Sequence, residues 1–426
     1  MKAILVPSQL KGSITAPASK SAMQRACAAA LVRKGETVLL NPGISNDDKA
    51  ALNIISQLGA TYEVQDDKVI IRSQGVQPVS NVIDCHESGL SIRMFTSVAA
   101  LSSETITVKG SGSLSKRPMN FFDEVLPQLG VSCKSRGGYL PLEIKGPLQP
   151  KNITVDGSLS SQYLTGLLFA YAAADASDVS IRVTNLNSRP YVDLTLQVLK
   201  SFGLKVPQNR NYEEFYFEAA PAQAPQAGPL TYTVEGDWSN AAFLLVGGAV
   251  AGDLQLKGMD MNSVQGDKAI VEVLLKAKAD LKNEGGVMTI KQSDLQGFEF
   301  DATDCPDLFP PLVALASHSA GTSRIKGVHR LTHKESNRAA TLQEEFGKLK
   351  VPVSFEDDVM VVEGKKGLVA TEVSSHNDHR IAMATAVAGL RADKELVITG
   401  AEAVNKSYPQ FWENLKALGA QVRVEG

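Results

Sequence analysis

Basic side chains stand at the predicted starts of several helices, where folding alone favours acidic ones. Lys20 and Arg25 lie at the first such start, Arg93 near the second, and His379 with Arg380 at the last. A helix N-terminus already carries partial positive charge, so these cations do not help the helix form. Free backbone N–H groups beside a cation bind phosphate or carboxylate well. A solvated surface position explains any single case, but the repetition favours a clustered anion site.

The segment HRLTHKESNR, residues 329–338, combines cations with a carboxylate. A helix beginning near His333 would place Lys334 and Arg338 on one face, with Glu335 three residues before Arg338. A surface array of ion pairs is the alternative for such a face. Its position directly after the fifth copy of the repeat described below, and before SHNDHR (375–380) in the sixth, favours a functional interpretation.

Asp307 lies in the segment DCPDLFPPL, directly after Pro306 and at the start of an apolar helix. An acidic residue in the first turn of a helix often only complements the helix dipole. The functional alternative is a general base held close to the phosphate-binding cations.

These residues belong to a pattern that occurs six times, at intervals of roughly 70 residues. Each copy reads as an extended segment, a polar turn, an Ala/Leu-rich helix, a second turn and further extended segments. The copies start near Ser13, Asn81, Asn152, Leu230, Gly297 and Ala370. The predicted helix N-caps include Ser88, Asp237 and Asp304. Six chance resemblances within one ordinary α/β protein are the alternative.

Amphipathic helices are predicted between the copies, over 120–129, 192–202 and 334–349. Six α/β units could close into one ring or form two bodies of three. Residues 219–229, rich in Pro, Ala, Gln and Gly, have the composition of a linker between the third and fourth copies. We therefore expect two bodies of three units.

The composition and charge of the chain limit its possible binding partners and its cellular compartment. The 426-residue chain is 43% hydrophobic and has a net charge of −3, which gives no general field to attract nucleic acid or an anionic membrane. The apolar, uncharged stretch 238–252 is too short to span a bilayer, and the first ten residues lack the apolar core of a secretory signal. The four cysteines form no CxxC pair, so neither a disulfide framework nor a zinc site is predicted. We expect a cytoplasmic protein.

Taken together, eleven segments resemble the enolpyruvyl transferases, and within them the EPSP synthase family, over nearly the whole chain. They are PASKSAMQR (17–25), SGLSIR (88–93), KRP (116–118), VDGSLSSQYLTGLL (155–168), SRPYVD (188–193), VEGDWSNA (234–241), NSVQGD (262–267), PDLFP (306–310), HKESNR (333–338), NDHRIAM (377–383) and NKSYP (405–409). The resemblance implies an α/β fold described as a two-domain inside-out α/β barrel, with six repeated units, three per domain. It further implies one domain over 20–235, a second over 1–19 plus 236–426, and an active site in the cleft between them.

By the same resemblance, the substrates are shikimate 3-phosphate and phosphoenolpyruvate, joined by addition and elimination without a metal or organic cofactor. Shikimate 3-phosphate would bind Lys20, Ser21, Arg25, Ser160, Ser161, Gln162, Ser188, Asp307 and Lys334. Phosphoenolpyruvate would bind Lys20, Gly89, Arg117, Gln162, Arg338, Arg380 and Lys406. The catalytic residues would be Asp307 as base, Glu335 as proton donor and acceptor, and Lys20. A monomer without nucleic-acid or membrane partners is expected.

The chain departs from the family pattern in two places. Glu87, Ser88, Gly89 and Leu90 replace a common Asn-Ala-Gly-Thr, which alters the surroundings of the phosphoenolpyruvate site. Arg330 stands where an Asn often helps bind the shikimate ester, and we hypothesise that it contacts the phosphate.

Two other functions are weighed against this one. Transfer to UDP-N-acetylglucosamine is disfavoured because the loop at 110–118 lacks the reactive Cys that such enzymes usually carry before an Arg-Pro pair. A noncatalytic ring that binds polyanions such as nucleic acid is disfavoured by the acidic net charge and by the absence of basic runs with interleaved aromatics.

Overall fold

The computed structural model describes residues 1–219, 228–332, 334–365 and 367–426. Contacts divide the chain into two units, one formed by Met1–Pro17 with Gly236–Gly426 and the other by Ala18–Glu235. They are called here the terminal unit and the central unit. Most of the predicted linker at 219–229 lies outside the described residues.

The helices are numbered in chain order. They are α1 (Lys20–Arg33), α2 (Asn46–Gln57), α3 (Gly89–Ala99), α4 (Asn120–Val125), α5 (Ser161–Ala173), α6 (Arg189–Ser201), α7 (Trp238–Ala251), α8 (Ile270–Lys276), α9 (Phe309–Ser317), α10 (Arg338–Lys348), α11 (His379–Gly389) and α12 (Phe411–Ala417). Short 3-10 turns cover Gly112–Lys116, Leu126–Leu129, Gly266–Ala269, Pro306–Leu308, Val328–Leu331 and Ala401–Lys406. None of the helices described is both long and apolar enough to cross a membrane.

The strands are likewise numbered in chain order. They are β1 (Lys2–Val6), β2 (Leu10–Thr15), β3 (Gly35–Leu40), β4 (Thr61–Gln65), β5 (Lys68–Ser73), β6 (Val82–Asp84), β7 (Thr105–Lys109), β8 (Ser132–Lys134), β9 (Leu142–Lys145), β10 (Ile153–Asp156), β11 (Val179–Thr184), β12 (Gln208–Arg210), β13 (Glu214–Phe217), β14 (Leu230–Thr233), β15 (Gly252–Lys257), β16 (Asp280–Glu284), β17 (Val287–Lys291), β18 (Glu299–Asp301), β19 (Thr322–Lys326), β20 (Val353–Glu356), β21 (Val359–Glu363), β22 (Glu372–Ser374), β23 (Leu396–Thr399) and β24 (Gln421–Glu425).

Within the described residues these strands form six four-stranded sheets, three in each unit. The central unit holds the sheets β14-β3-β5-β4, β6-β7-β9-β8 and β10-β11-β13-β12, and the terminal unit holds β16-β17-β15-β2, β18-β19-β21-β20 and β22-β23-β1-β24. Each sheet contains one parallel pair, and its other pairs are antiparallel. The predicted α/β class, with six repeated units and three in each body, is confirmed. The sheets remain separate in the part of the chain that the structure describes, without a closed barrel.

Two repeats exchange their first strands, which the sequence pattern did not predict. β2 pairs in parallel with β15, and β14 pairs in parallel with β3. The first strand of the first copy thus belongs to the terminal unit, whereas the helix that follows it belongs to the central unit. β1 lies between β23 and β24, so the start of the chain completes the sheet of the last copy.

The core of each unit is built around three nearly buried helices. α1, α3 and α5 pack together in the central unit, and α7, α9 and α11 do so in the terminal unit. Their Ala/Leu-rich sequences are apolar on all sides, which is typical of a helix surrounded by other elements. Gly166 of α5 allows close packing on α3, because a Cβ there would lie 2.7 Å from the carbonyl oxygen of Met94.

Side-chain caps fix where most of these helices begin. Ser19, Ser88 and Ser160 cap α1, α3 and α5, and Asp237 and Asp378 cap α7 and α11. Each such cap contributes about 1 kcal/mol. The predicted caps Ser88 and Asp237 are confirmed.

The prediction that Asp304 caps a helix is wrong. A 3-10 turn at Pro306–Leu308 precedes α9, and Leu308 is the cap residue, without a side-chain hydrogen bond. Pro310 and Pro311 lack N–H groups, so the first turn of α9 offers few donors for a capping side chain.

The predicted amphipathic helices are confirmed in place, but their limits differ. The helix expected over 120–129 is α4 followed by a 3-10 turn that contains Pro127. The helix expected over 192–202 begins earlier, at Arg189, with a proline in its first turn.

Candidate active site

The N-terminal turns of α1, α3 and α5 meet in the central unit. Gln24 of α1 accepts hydrogen bonds from the hydroxyls of Ser88, at 3.1 Å, and Ser91, at 2.9 Å. Arg93 of α3 donates to the Gln162 amide oxygen of α5 at 2.8 Å. Three helix starts with their partial positive charges therefore lie side by side, which favours an anion at this end of the unit.

Lys20 is the first residue of α1 and is held by an acidic partner. Its Nζ lies 2.9 Å from Oδ2 of Asp47, in the first turn of α2, and both side chains are mostly buried. The predicted cation is thus fixed in place, but its partner was not predicted.

Arg25 is the most unusual cation of the central unit, because it is 1% exposed and its partners in the described structure are neutral. Its guanidinium donates to the Thr195 hydroxyl at 3.0 Å, the Ser21 carbonyl at 2.9 Å, the Tyr191 carbonyl at 3.2 Å and the Thr165 hydroxyl at 3.5 Å. Burial lowers the pKa of Arg25 to about 10. A buried charge without a counter-ion is costly, so this site favours an incoming anion.

Gly89 leaves room for two guanidinium groups at the start of α3. A Cβ at Gly89 would lie 2.8 Å from Arg117 Nη1 and 3.3 Å from Arg93 Nη1. Arg117 also donates to the Ser113 hydroxyl at 3.3 Å. A ligand reaching this helix start would therefore meet two arginines as well as backbone N–H groups.

The predicted serines occupy helix starts. Ser21 lies in the first turn of α1, Ser160 caps α5 and accepts from the Gln162 backbone N–H, and Ser161 is the first residue of α5. Ser188, at the start of α6, has a φ of 57°. Such left-handed conformations are costly for residues other than glycine and are frequent at functional sites.

Asp307 is the centre of a second cluster, in the terminal unit. Its Oδ1 lies 2.7 Å from Arg338 Nη1 and 3.2 Å from Lys334 Nζ, and its Oδ2 lies 3.0 Å from Arg380 Nη2. One carboxylate, about a quarter exposed at 26%, is thus bound by three cations, two from the segment 333–338 and one from the start of α11.

These contacts determine the ionisation of Asp307. Burial alone would raise the pKa of its carboxyl, but the charges of Arg380, Lys334 and Arg338 outweigh that effect and hold the pKa well below the usual value of 3.8. The carboxylate is therefore ionised near neutral pH, and it is a weak base while all three cations contact it.

Arg338 connects this cluster to two further carboxylates. It is 1% exposed and donates to Glu335 through Nη2 and to Asp378 through Nε, the latter at 2.8 Å. Burial would lower the pKa of Arg338, but Asp378, Glu335 and Asp307 raise it above its usual value. The guanidinium is therefore permanently charged.

Lys406 contacts the backbone of the loop that leads into Arg380. Arg380 is in the first turn of α11, and the Nζ of Lys406 donates to the carbonyl of Asn377, three residues earlier, at 2.7 Å. Both side chains are buried. Of the predicted residues in the terminal unit, Asp307, Lys334, Glu335, Arg338 and Arg380 share direct contacts, and Lys406 joins them through this loop.

The prediction that a helix begins near His333 is wrong about its first residue. α10 begins at Arg338 with Asn337 as its cap, and His333 itself lies outside the described residues. Ser and Asn favour caps over helix interiors, which explains the later start. Lys334 and Arg338 nevertheless lie close together. They do so because both contact Asp307, and not because they share one face of a helix.

Arg330 lies in a 3-10 turn close enough to Asp304 and Asp307 for both charges to affect its pKa, although burial has the larger effect and lowers it. It therefore belongs to the surroundings of the second cluster. The contact with a substrate phosphate stays a prediction.

One group of side chains in the described structure has the donor atoms for a metal ion. Ligand atoms of Glu344, Glu345 and His376 lie within 4.8 Å of one another. Lys348 already contacts both glutamates, at 3.2 Å and 2.8 Å. A divalent ion would have to displace this ammonium group.

Sequence reasoning missed the residues that hold the predicted cations. Asp47 contacts Lys20 from 27 residues away, and Asp378 contacts Arg338 from 40 residues away. Thr165 and Thr195 orient Arg25. Asp378 falls inside the segment NDHRIAM, so its position before His379 and Arg380 was the one available signal.

Comparison with solved structures defines the class of protein. The chain has a TM-score of 0.82 to EPSP synthase from Acinetobacter baumannii, with 25% identity and complete coverage of both chains. It has a TM-score of 0.77 to the enolpyruvyl transferase NikO from Streptomyces tendae, which at 16% identity and with 99% and 98% coverage shows the fold alone. The fold is therefore that of the enolpyruvyl transferases.

Sequence comparison narrows the class to one family. The family described as EPSP synthase (3-phosphoshikimate 1-carboxyvinyltransferase) matches residues 5–415. The chain is 37% identical to a 3-phosphoshikimate 1-carboxyvinyltransferase of Clostridium perfringens, over all of both proteins. It is also 37% identical to the protein of that name from Halobacterium salinarum, over 99% of each. The chain belongs to the EPSP synthase family.

Proposed function

We propose that this chain is an enzyme that transfers the enolpyruvyl group of phosphoenolpyruvate to the 5-hydroxyl of shikimate 3-phosphate and releases phosphate. Its place would be in the shikimate pathway of aromatic amino-acid and chorismate biosynthesis. The observation that carries the proposal is the contact of Asp307 with three cations, because it combines a base with anion-binding groups. Family membership agrees with it.

The central unit is proposed to bind mainly shikimate 3-phosphate. Arg25, buried among neutral groups, would bind one of its anionic groups, and the hydroxyls of Ser160, Ser161 and Ser188 suit a phosphate ester. Lys20, held by Asp47, and Gln162 would contact both substrates. Gly89 and Arg117 would contribute a helix start and a guanidinium to phosphoenolpyruvate.

The terminal unit is proposed to supply the remaining phosphoenolpyruvate contacts and the acid-base groups. Arg338 and Arg380 would bind anionic oxygens bidentately, and Lys406 would add a point charge. We propose in addition that the helix starts of the central unit and the residues around Asp307 act on the same pair of substrates.

The chemistry follows in two steps. In the first step, with Glu335 protonated, the 5-hydroxyl oxygen bonds to C2 of phosphoenolpyruvate, Asp307 takes the hydroxyl proton, and Glu335 gives its proton to C3 as the C2–C3 double bond becomes single, which yields a tetrahedral adduct. In the second step Glu335 takes a proton back from C3, the bond from C2 to the phosphate oxygen breaks, and the phosphate leaves with the proton that Asp307 had taken. The surrounding cations stabilise the charge that develops on the leaving phosphate.

A phosphate-release assay tests the proposal. Purified protein should release inorganic phosphate from phosphoenolpyruvate when shikimate 3-phosphate is present, and not with phosphoenolpyruvate alone. Release with UDP-N-acetylglucosamine but not with shikimate 3-phosphate would overturn the assignment.

We also infer a monomer located in the cytoplasm. All four cysteines are free thiols, which suits a reducing compartment. Light scattering during size-exclusion chromatography should give a mass near 45.5 kDa, and a mass twice as large would contradict the monomer.

A further inference from the structure

Asp378 is a buried carboxylate at the junction of two helices that carry proposed ligand-binding arginines. It is 0% exposed and caps α11, where its Oδ1 accepts from the backbone N–H of Arg380 at 3.0 Å. The side chain of Arg380 belongs to the cluster around Asp307. One oxygen of Asp378 therefore fixes the backbone from which that arginine projects.

The same carboxylate binds the side chain of the second arginine. Arg338 donates from Nε to Oδ2 at 2.8 Å and from Nη2 to Oδ1 at 3.3 Å, and the Ser336 hydroxyl donates to Oδ2 at 3.1 Å. A two-point contact with a carboxylate fixes the plane of a guanidinium group. With its Nε edge held in this way, Arg338 directs Nη1 towards Asp307 at 2.7 Å.

The loop that carries Asp378 is itself held at several points. Glu345 of α10 is fully buried and accepts from the Ser374 backbone N–H at 2.9 Å, and it also contacts the His376 ring. Lys406 donates to the carbonyl of Asn377. His376 and Asn377 have φ values of 50° and 57°, so the loop is fixed in a conformation that it would not adopt on its own.

Two effects of Asp378 on anion binding oppose one another. As a negative charge beside two arginines, it weakens the attraction of an anion by Coulomb's law. As a rigid acceptor, it holds both arginines in the positions that an anion needs. Removing the charge should strengthen binding if the first effect dominates and weaken it if the second does.

We propose that Asp378 is a positioning residue for phosphoenolpyruvate, setting the spacing and orientation of Arg338 and Arg380 through one buried carboxylate. The proposal rests on the proposed function. It assigns no substrate contact to Asp378 itself. The second effect dominates, because this one carboxylate holds Arg338 through its side chain and Arg380 through its backbone N–H.

Asp378→Asn is the informative variant, because Asn is also a good N-cap and keeps the start of α11 while the charge is lost. The KM for phosphoenolpyruvate should rise about tenfold or more, as expected when a charged hydrogen bond is lost. The KM for shikimate 3-phosphate should stay unchanged. Asp393→Asn is the matched control, since Asp393 also accepts a backbone N–H, from Ala370 at 2.7 Å, but lies on the surface.

An unchanged or lower KM for phosphoenolpyruvate in Asp378→Asn would overturn the proposal, and so would an equal rise in both KM values. If this variant does not fold, Ser336→Ala removes one hydrogen bond from the carboxylate and should raise the same KM by about two- to tenfold. No rise there would likewise overturn it.

Direct calorimetric titration with phosphoenolpyruvate separates this proposal from the proposed function. A wild-type protein that binds phosphoenolpyruvate but releases no phosphate would refute the proposed reaction. Weaker binding by Asp378→Asn would still support the positioning role, and equal binding would refute it.

Discussion

Arg25 and Arg338 are equally buried, each 1% exposed, but their surroundings differ in charge. Arg25 in the central unit donates to two threonine hydroxyls and two backbone carbonyls. Arg338 in the terminal unit contacts the carboxylates of Asp307, Glu335 and Asp378. An anion that reaches Arg25 supplies a missing counter-charge, whereas one that reaches Arg338 competes with carboxylates already present.

The difference has a consequence for Asp307. Its three cation partners are also the proposed ligands of the substrates, so an anion that binds them loosens their hold on the carboxylate. The pKa of Asp307 then rises towards its usual value, and the group becomes a better base. On the proposed function, the residues around Asp307 would therefore exchange ion pairs when a substrate binds, whereas Arg25 would gain one.

The largest expected effect is on turnover in Asp307→Asn. Loss of a general base should reduce kcat by about 10²- to 10⁴-fold. Binding of phosphoenolpyruvate should persist, because the variant keeps all three cations and removes their competitor. Phosphate release gives kcat, and calorimetry gives the affinity.

Asp301→Asn is the control for this variant. Asp301 pairs with Lys326 at 3.1 Å on the surface, with both side chains more than half exposed. Such a pair contributes little, so kcat should not change. If Asp307→Asn also kept the wild-type kcat, Asp307 would have no place in the mechanism.

Arg338→Met should produce the largest loss of stability. It leaves Asp378 buried without its counter-ion, and breaking a buried pair in this way costs about 3–5 kcal/mol. The free energy of unfolding in urea measures the loss. Arg324→Met is the control, since its pair with Glu356 lies on the surface and contributes no more than about 1 kcal/mol. Equal losses in the two variants would mean that Arg338 is not an essential counter-charge.

Asp48, in the central unit, has a raised pKa, whereas the pKa of Asp307 is lowered. Burial raises its pKa to about 7, although hydrogen bonds from Ser45 lower it. Between the unfolded value near 3.8 and about 7, the folded state therefore holds a proton that the unfolded state has lost. This group makes stability fall as the pH rises, by at most about 1.4 kcal/mol per pH unit.

Asp48→Asn should remove that fall, as measured by urea unfolding at several pH values across this window. A slope identical to the wild type would contradict the assignment.

The pH dependence of stability from Asp307 has the opposite sign. Its depressed pKa contributes stability above the unfolded value of about 3.8, and this stability is lost as the pH falls through the folded pKa. Asp307→Asn should therefore alter acid unfolding below about pH 4 and leave the window from 4 to 7 unchanged.

The sequence predicted the repeats well, because apolar helices after polar caps are local patterns. Ser88 and Asp237 cap their helices as predicted. The exchange of β2 and β14 could not be predicted from local patterns, since both strands have the same pattern and only their pairing partners distinguish them. Only the family resemblance implied it, by assigning residues 1–19 and 20–235 to different domains. The start of α10 was misplaced because helical spacing was given more weight than the capping preference of Asn337.

For the site, the sequence predicted cations but not the residues that hold them. Lys20, Arg25, Arg93 and Arg380 stand out because helix starts disfavour basic residues. Asp47 and Asp378 do not stand out, since acidic residues at helix starts are ordinary. Their roles depend on contacts between distant segments, and the functions of the predicted site residues stay predictions.

The smallest change in stability is expected for Arg25→Met, and it tests the comparison directly. The groups around Arg25 keep other partners: Thr195 donates to the Tyr191 carbonyl at 2.9 Å, and Thr165 and Thr195 bond to each other at 3.0 Å. No carboxylate is left without a counter-ion, so the free energy of unfolding should change by no more than about 1 kcal/mol. The KM for shikimate 3-phosphate should rise about tenfold or more, because the missing guanidinium is the proposed donor of a charged hydrogen bond to the substrate. A destabilisation as large as that of Arg338→Met would show that the two buried arginines have the same structural role, and that the neutral surroundings of Arg25 do not mark a ligand site.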